Sequence, residues 1–403
     1  MDWDYDVIVV GAGPGGATAS RCCAQAGLKT LLIEKERLPR YKVCGGCLSA
    51  KTFRLLGFDL SSIVENTIRG AKFTYCMKDP LFIPSEKPIG FMVMRSRFDQ
   101  LLVQKAVERG AEVLEGEKVV TAREVEGGIE VALERGRKLC CEYLIGADGA
   151  GSVVARTFSL LSSKTDENGF GLQSEVPYGL IPEFPKDDLH FVLLDFGRIP
   201  FGYGWVFPKS EGLSIGIGGL LNAGKKVNIQ QHLEAFLRDL HYVQRGELKN
   251  FLGHRLPCFN DEARPVGRGR VLLVGDAAYF LDPLTGEGIC HAVRSGVLAA
   301  EAIVQSRETG DLPAISYEKK IRQFILEDLK WALHVSRIIY RFTQLSYRTL
   351  KQYPELAQLC IQLLGGEIAY EGFVTRVKER IKGLLKGQLG ERIRKAMRTP
   401  WTS

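Results

Sequence analysis

Val7-Ile8-Val9-Val10-Gly11-Ala12-Gly13-Pro14-Gly15-Gly16 reads as an apolar strand running straight into a glycine-rich turn. From about Gly16 the pattern is helical as far as Gly27, and a second apolar run, Leu31-Leu32-Ile33, is closed by Glu34. Strand, turn, helix, strand and acid in this order spell a dinucleotide-binding βαβ unit. Gly11, Gly13, Gly15 and Gly16 let the backbone approach a pyrophosphate at the positive end of a helix. Glu34, about 20 residues on, can accept hydrogen bonds from an adenosine ribose.

Three further segments suit the same extended ligand. Arg95-Ser96-Arg97-Phe98-Asp99 opens a helical run that stops at Gly110. Tyr143-Leu144-Ile145-Gly146-Ala147-Asp148-Gly149 and Val271-Leu272-Leu273-Val274-Gly275-Asp276 each end a strand-like run. Ligands of open α/β sheets sit at the carboxyl ends of strands, so Asp148 and Asp276 are placed to meet one. Taken singly, each Asp-Gly or Gly-Asp pair would read only as a turn.

Together these segments resemble the FAD-dependent family that includes aromatic hydroxylases, halogenases and geranylgeranyl reductases, over residues 5 to 310. The resemblance implies bound FAD, with Asp148-Gly149 and Gly275-Asp276 near its pyrophosphate and ribityl regions and with Arg95 and Val119 contacting it. The loop Arg40 to Ser49, carrying Cys44, Gly45 and Cys47, and the segment Asp282 to Ile289 are expected beside the isoalloxazine. A helix starting near Gly288 and Ile289 would aim its N–H groups at the ring's N1–C2 edge and favour the anionic reduced form.

Cys44-Gly45-Gly46-Cys47 invites two other readings. A zinc site needs four ligands, and no second Cys-x-x-Cys or suitably spaced Cys/His pair accompanies it. A redox disulfide of the flavin disulfide-reductase type would come with a second nucleotide fingerprint, and none follows Gly16. No metal is therefore expected. Cys44 is read as a loop residue beside the flavin, Cys47 as a local variation, and Cys290 as a neighbour.

Two motifs narrow the resemblance. Tyr41-Lys42-Val43-Cys44-Gly45-Gly46 is similar to the cysteine motif of geranylgeranyl reductases, and Pro200-Phe201-Gly202-Tyr203-Gly204-Trp205-Val206-Phe207-Pro208 to their substrate-site motif. Cys47 departs from a position often held by glycine. Along a strand Tyr203, Trp205 and Phe207 share one face, giving an aromatic wall able to hold a polyprenyl tail. The resemblance implies reduction of isolated C=C bonds in a geranylgeranyl or polyprenyl chain of a lipid, quinone or chlorophyll-type substrate. Hydride would reach one carbon from the flavin and a proton the other. Cys44 is the catalytic candidate, and Tyr203 and His291 are further proton donors or shapers. The reductant is left open among NADPH, reduced ferredoxin and a quinol. Alternatives on the same scaffold are a flavin-dependent monooxygenase or halogenase and a non-catalytic prenyl-binding carrier; against the halogenase, Tyr203 stands where its first Trp would be.

Composition bounds the rest. The chain has 403 residues, 45% hydrophobic and 25% charged, as expected for a globular enzyme of two domains with a C-terminal appendage. Ten cysteines without a disulfide-framework spacing, and an acidic start, Asp2-Trp3-Asp4-Tyr5-Asp6, point to the cytoplasm. Nine Lys or Arg between Arg376 and Arg398 face only Glu379 and Glu391, so this stretch accounts for the formal net charge of +7. Val377, Ile381, Leu384, Leu385, Leu389, Ile393 and Met397 recur there at helical spacing, which suits a basic helix over 376–398 lying on the inner face of a membrane or packing on the body. No aromatic interleaving supports nucleic-acid binding.

The fold expected is α/β: a Rossmann-like FAD-binding domain built from 1–70, 92–160 and 265–310. A second, largely antiparallel sheet domain takes in 71–91 and 161–264, with a helical region from 311 to 403.

Overall fold

A computed structural model describes residues 3–160, 169–220, 227–243, 250–261 and 264–383. Tyr5–Val10 lies inside an eight-stranded sheet, pairing in parallel with Thr30–Glu34 on one side and Lys138–Gly146 on the other. Glu112–Glu115 and Val271–Leu273 extend the parallel set outward, and the hairpin Val119–Val125/Gly128–Leu133 adds an antiparallel flank to Lys138–Gly146. The apolar run is continuous because both faces of its strand are covered. Val7 and Val9 enter one core with the helices, whereas Ile8 and Val10 enter another with the hairpin residues Ile129 and Val131. That split is the period of two made visible.

The helices Pro14–Gln25, Arg95–Val107 and Ile289–Thr309 stack on the helical face. Small residues set their approach. A Cβ on Gly16 would stand 1.9 Å from the Gly11 carbonyl oxygen, and one on Gly296 would stand 2.4 Å from that of Gly15. Only glycine leaves room for the turn to fold onto its helix and for the two helices to touch.

A seven-stranded sheet follows the order Leu252–Leu256, Gly169–Pro177, Gly212–Leu220, Gly202–Pro208, Phe191–Phe196, Gly70–Tyr75, Lys78–Pro84. It is antiparallel except at one junction, where Phe191–Phe196 runs parallel to Gly70–Tyr75 because a distant segment supplies the partner. A small third sheet joins Cys47–Ser49, Gly90–Val93 and Val64–Ile68. Among these strands lies one helix that the sequence reading did not single out, Ile229–Asp239, which buries Leu233 and Phe236 against the large sheet. The apolar spacing of three to four over Leu233, Phe236, Leu237 and Leu240 carries that helix in the sequence.

Beyond the long helix come Pro313–Ile321, Glu327–Arg341, Thr343–Gln352 and Pro354–Leu364, then helix over 370–383. They pack on each other through Val335, Leu356, Tyr370 and Phe373, and on the large sheet through Tyr347 and Ile361. Residues 384–398 of the proposed basic helix lie outside the described residues.

Candidate functional site

One cavity of about 820 Å³ runs from the Gly11–Gly15 turn, past Glu34, the 40–47 loop, Ala147–Gly151 and Asp276, to the face of the seven-stranded sheet and the C-terminal helices. Of the residues singled out from sequence, Gly11, Gly13, Gly15, Glu34, Cys44, Gly45, Cys47, Arg95, Val119, Asp148, Asp276, Gly288 and Ile289 all line it, with Tyr203, Trp205 and Phe207. Gly16 does not; it serves the close packing of turn on helix. His291 does not line it either. Its ring is buried, with Nδ1 3.2 Å from the Glu287 carbonyl oxygen. Cys290 is likewise buried off the wall.

At the nucleotide end, Glu34 is buried and accepts from Ala12 N–H at 2.8 Å, tying the second strand to the turn. Asp148 has a role that its motif did not suggest: Oδ2 accepts from Val153 N–H at 2.6 Å and Oδ1 from the Ser152 hydroxyl, so it caps the helix Val153–Thr157. Burial pushes its carboxyl up, and these hydrogen bonds oppose that. Arg95 and Arg40 both converge on Asp99, which is fully buried: Arg95 Nε at 2.8 Å, Arg95 Nη2 at 2.9 Å and Arg40 Nη1 at 2.8 Å. The Arg95 guanidinium is thereby fixed in the cavity wall against Cys44.

Between the two ends, Lys42 Nζ donates to His254 Nε2 at 2.6 Å. Burial and the neighbouring Lys42 cation bring the His254 imidazole down to about 4, and burial lowers the Lys42 ammonium. His254 comes from the edge strand Leu252–Leu256, which no local signal linked to the Cys44 loop. Asp276 faces Lys42 and Arg95, and burial raises its carboxyl against their pull.

The far end is aromatic. Tyr203, Trp205 and Phe207 alternate with buried residues along Gly202–Pro208 and face the cavity. Trp205 lies across the neighbouring strand where Gly216 has no side chain, a Cβ there standing 2.3 Å from its ring. A Cβ on Gly45 would stand 2.7 Å from the Phe207 ring, so the cysteine loop and the aromatic strand touch. The 282–289 turn is held by three tyrosines. Tyr370 donates to Asp282 Oδ2 at 2.7 Å, Tyr340 to the Leu284 carbonyl at 2.6 Å, and Tyr203 to the Thr285 carbonyl. Asp282 Oδ1 in turn accepts from Leu284 and Thr285 N–H. Beneath the turn, burial alone would raise the Glu287 carboxyl, but Lys51 at 2.8 Å, His291 and Ser49 bring it below its ordinary value.

These residues suit FAD. A Cβ on Gly13 would meet nothing within 4 Å, leaving open space before the N-terminus of Pro14–Gln25 for a pyrophosphate. The Asp276 carboxylate has no hydrogen-bond donor among the described residues, and the Trp205 indole N–H is buried without an acceptor. All ten cysteines are free thiols, and no group of metal-ligating side chains occurs among the described residues. Burial pushes the Cys47 thiol up to about 12, which makes it unreactive at neutral pH.

The profile of an FAD binding domain matches residues 4–177. The chain is 32% identical over 336 residues to a digeranylgeranylglycerophospholipid reductase of Thermoplasma acidophilum, covering 79% of this chain and 83% of the relative. It is 27% identical over 412 residues to a menaquinone reductase of Mycolicibacterium smegmatis, covering 98% and 99%. Its fold matches the crystal structure of a geranylgeranyl bacteriochlorophyll reductase-like protein of Thermoplasma acidophilum with a TM-score of 0.78 at 25% identity, covering 95% of this chain and 98% of that one.

Proposed function

Since the chain belongs to the geranylgeranyl reductase family of FAD-dependent oxidoreductases, we propose that it reduces isolated C=C bonds in the isoprenoid chain of a lipid or quinone. The observation that carries this reading is the single cavity joining the nucleotide turn to the wall of Tyr203, Trp205 and Phe207. When bound and first reduced by two electrons from an external donor (NADPH, reduced ferredoxin or a quinol), FAD would supply the hydride. The chain's residues do the remainder.

Gly11–Gly15, Arg95 and Asp276 would hold the cofactor's phosphate and ribityl portions, with the 282–289 turn and Gly45 against its ring. The aromatic wall would hold the olefin in line and exclude water, work that needs shape more than polar recognition. Tyr203 acts as a shaper, since its hydroxyl is committed to the Thr285 carbonyl. Cys44, beside Arg95 on the cavity wall, is assigned as the proton source for the second carbon. That assignment balances the reaction: hydride and proton add across the double bond.

Homologues of this chain carry the names of glycerophospholipid and menaquinone reductases, and both headgroups belong in the test. Anaerobic mixing of dithionite-reduced protein with geranylgeranyl lipids and with menaquinone should reoxidise the flavin and add two hydrogen atoms per reduced double bond, located on the isoprenoid chain by fragmentation because a naphthoquinone ring itself takes up two hydrogens. No mass gain with either class overturns the proposal, and substrate-dependent oxygen uptake would reassign the site to an oxygen-using reaction. No helix of the described residues is long and apolar enough to cross a membrane. Contact with a lipid surface through the basic segment 376–398 remains part of the proposal; its described part, 376–383, is helical and mostly exposed.

A further inference from the structure

At the corner between helices Glu327–Arg341 and Thr343–Gln352, opposite faces have opposite surroundings. Inward, Ile339, Tyr340, Thr343, Ser346, Tyr347 and Leu350 line the cavity. Outward, Ile338, Phe342 and Leu345 are 62%, 52% and 64% exposed. Phe342 N–H donates to the Ile338 carbonyl at 3.0 Å and Ser346 N–H to the Phe342 carbonyl at 2.8 Å, so the turn continues through the corner. The three apolar side chains therefore stay in one stripe at spacings of four and three.

The charge around this stripe is of one sign. Arg337, Arg341 and Arg348 are exposed, and none makes an ion pair or side-chain hydrogen bond among the described residues. From 329 to 354 the sequence has no Asp or Glu, while it has Lys330, Arg337, Arg341, Arg348 and Lys351. Of these only Lys351 is paired, to Asp79. Apolar anchors ringed by unpaired arginines match the boundary between acyl chains and anionic headgroups, where each cation adds attraction and the apolar side chains enter the interface.

We infer that this corner docks the protein on an anionic lipid bilayer, with the substrate cavity directly behind the docked face. Passage of an isoprenoid chain from bilayer to cavity rests on the function proposed above; the docking does not.

Co-sedimentation of the full, FAD-loaded chain with vesicles of phosphatidylglycerol and phosphatidylcholine tests it, with pure phosphatidylcholine as comparison. The wild type should sediment with the anionic vesicles. Arg337→Gln, Arg341→Gln and Arg348→Gln combined should weaken partitioning roughly a hundredfold, from about 1 kcal/mol per surface cation and tenfold per 1.4 kcal/mol. Ile338→Ser, Phe342→Ser and Leu345→Ser combined should also abolish sedimentation while the flavin absorbance stays unchanged. Lys378→Gln, Arg380→Gln and Lys382→Gln combined probe the separate basic segment, and the corner variants should lose binding with those three cations still in place.

A wild type that ignores anionic vesicles, or corner variants that bind as it does, overturns the inference. So does a wild-type dimer that the serine variants convert to monomer without any vesicle binding, since the stripe would then serve self-association. Turnover of detergent-dispersed substrate is measured separately; its absence rejects the proposed function and leaves the docking result standing.

Discussion

The hydroxyl of Tyr370 lies 2.7 Å from Asp282 Oδ2, joining the last described helix to the turn expected against the flavin ring. Tyr340 and Tyr203 grip the same turn from another helix and from the aromatic strand. The C-terminal helices are therefore part of the site's frame. Tyr370→Phe leaves Asp282 Oδ2 buried without that donor, at a cost of about 1–3 kcal/mol. Urea unfolding should show a loss of that order, with weaker FAD retention on dialysis; unchanged values for both would remove the turn from this helix's control.

Asp99 gathers Arg95 and Arg40 in the interior. Asp99→Asn keeps the shape and removes the charge, leaving the buried Arg95 guanidinium uncompensated while Arg40 retains Glu34 at 3.6 Å. Breaking a buried pair of this kind costs about 3–5 kcal/mol. Thermal melting and flavin content of the purified variant should both fall; a variant as stable as the wild type contradicts the cluster's structural role.

Gly216→Ala places a methyl 2.3 Å from the Trp205 ring and 2.6 Å from the Leu172 carbonyl oxygen. The indole is expected to leave the sheet face and narrow the aromatic slot. kcat/KM toward geranylgeranyl lipid should drop at least about tenfold, or 1.4 kcal/mol, with FAD still bound. Equal activity would place the substrate elsewhere in the cavity.

If Cys44 supplies the proton, Cys44→Ser should lower turnover on the order of a hundredfold, the usual scale for a general acid, with the flavin spectrum retained. Cys47→Ser, at a half-buried thiol that desolvation holds protonated, is expected to change turnover little. Parallel losses in both variants would point to loop packing instead.

His254 titrates near 4 in the folded chain against 6.5 ordinarily. Between those values the unfolded chain binds the extra proton, so stability falls as pH drops from about 6.5 toward 4 and is insensitive to this group above that window. Urea midpoints of the wild type and His254→Gln, compared across pH 4 to 7, should differ in slope in that window alone. Parallel curves would remove His254 as a contributor.

Much of the fold was legible because its signals are local. The turn Gly11–Gly16 with its flanking runs, Glu34 and the alternation of Tyr203, Trp205 and Phe207 all follow from backbone sterics and the strand period. Even there, the motif does not show that Asp148 accepts from Val153 N–H, since where the next helix starts is decided by how the chain turns after the strand. The helix Ile229–Asp239 had a readable period that the surrounding strand texture masked.

The sequence alone determined a nucleotide-binding βαβ unit, an aromatic strand and a basic terminal segment, because each is written within a few consecutive turns or alternations. Tertiary structure alone decided that His254 meets Lys42, that Gly216 makes room for Trp205, and that Tyr340 and Tyr370 fasten the 282–289 turn. Those pairings span from 11 residues, Trp205 to Gly216, to 212, Lys42 to His254, and no local preference specifies which sheet edge or helix face will arrive opposite a given side chain.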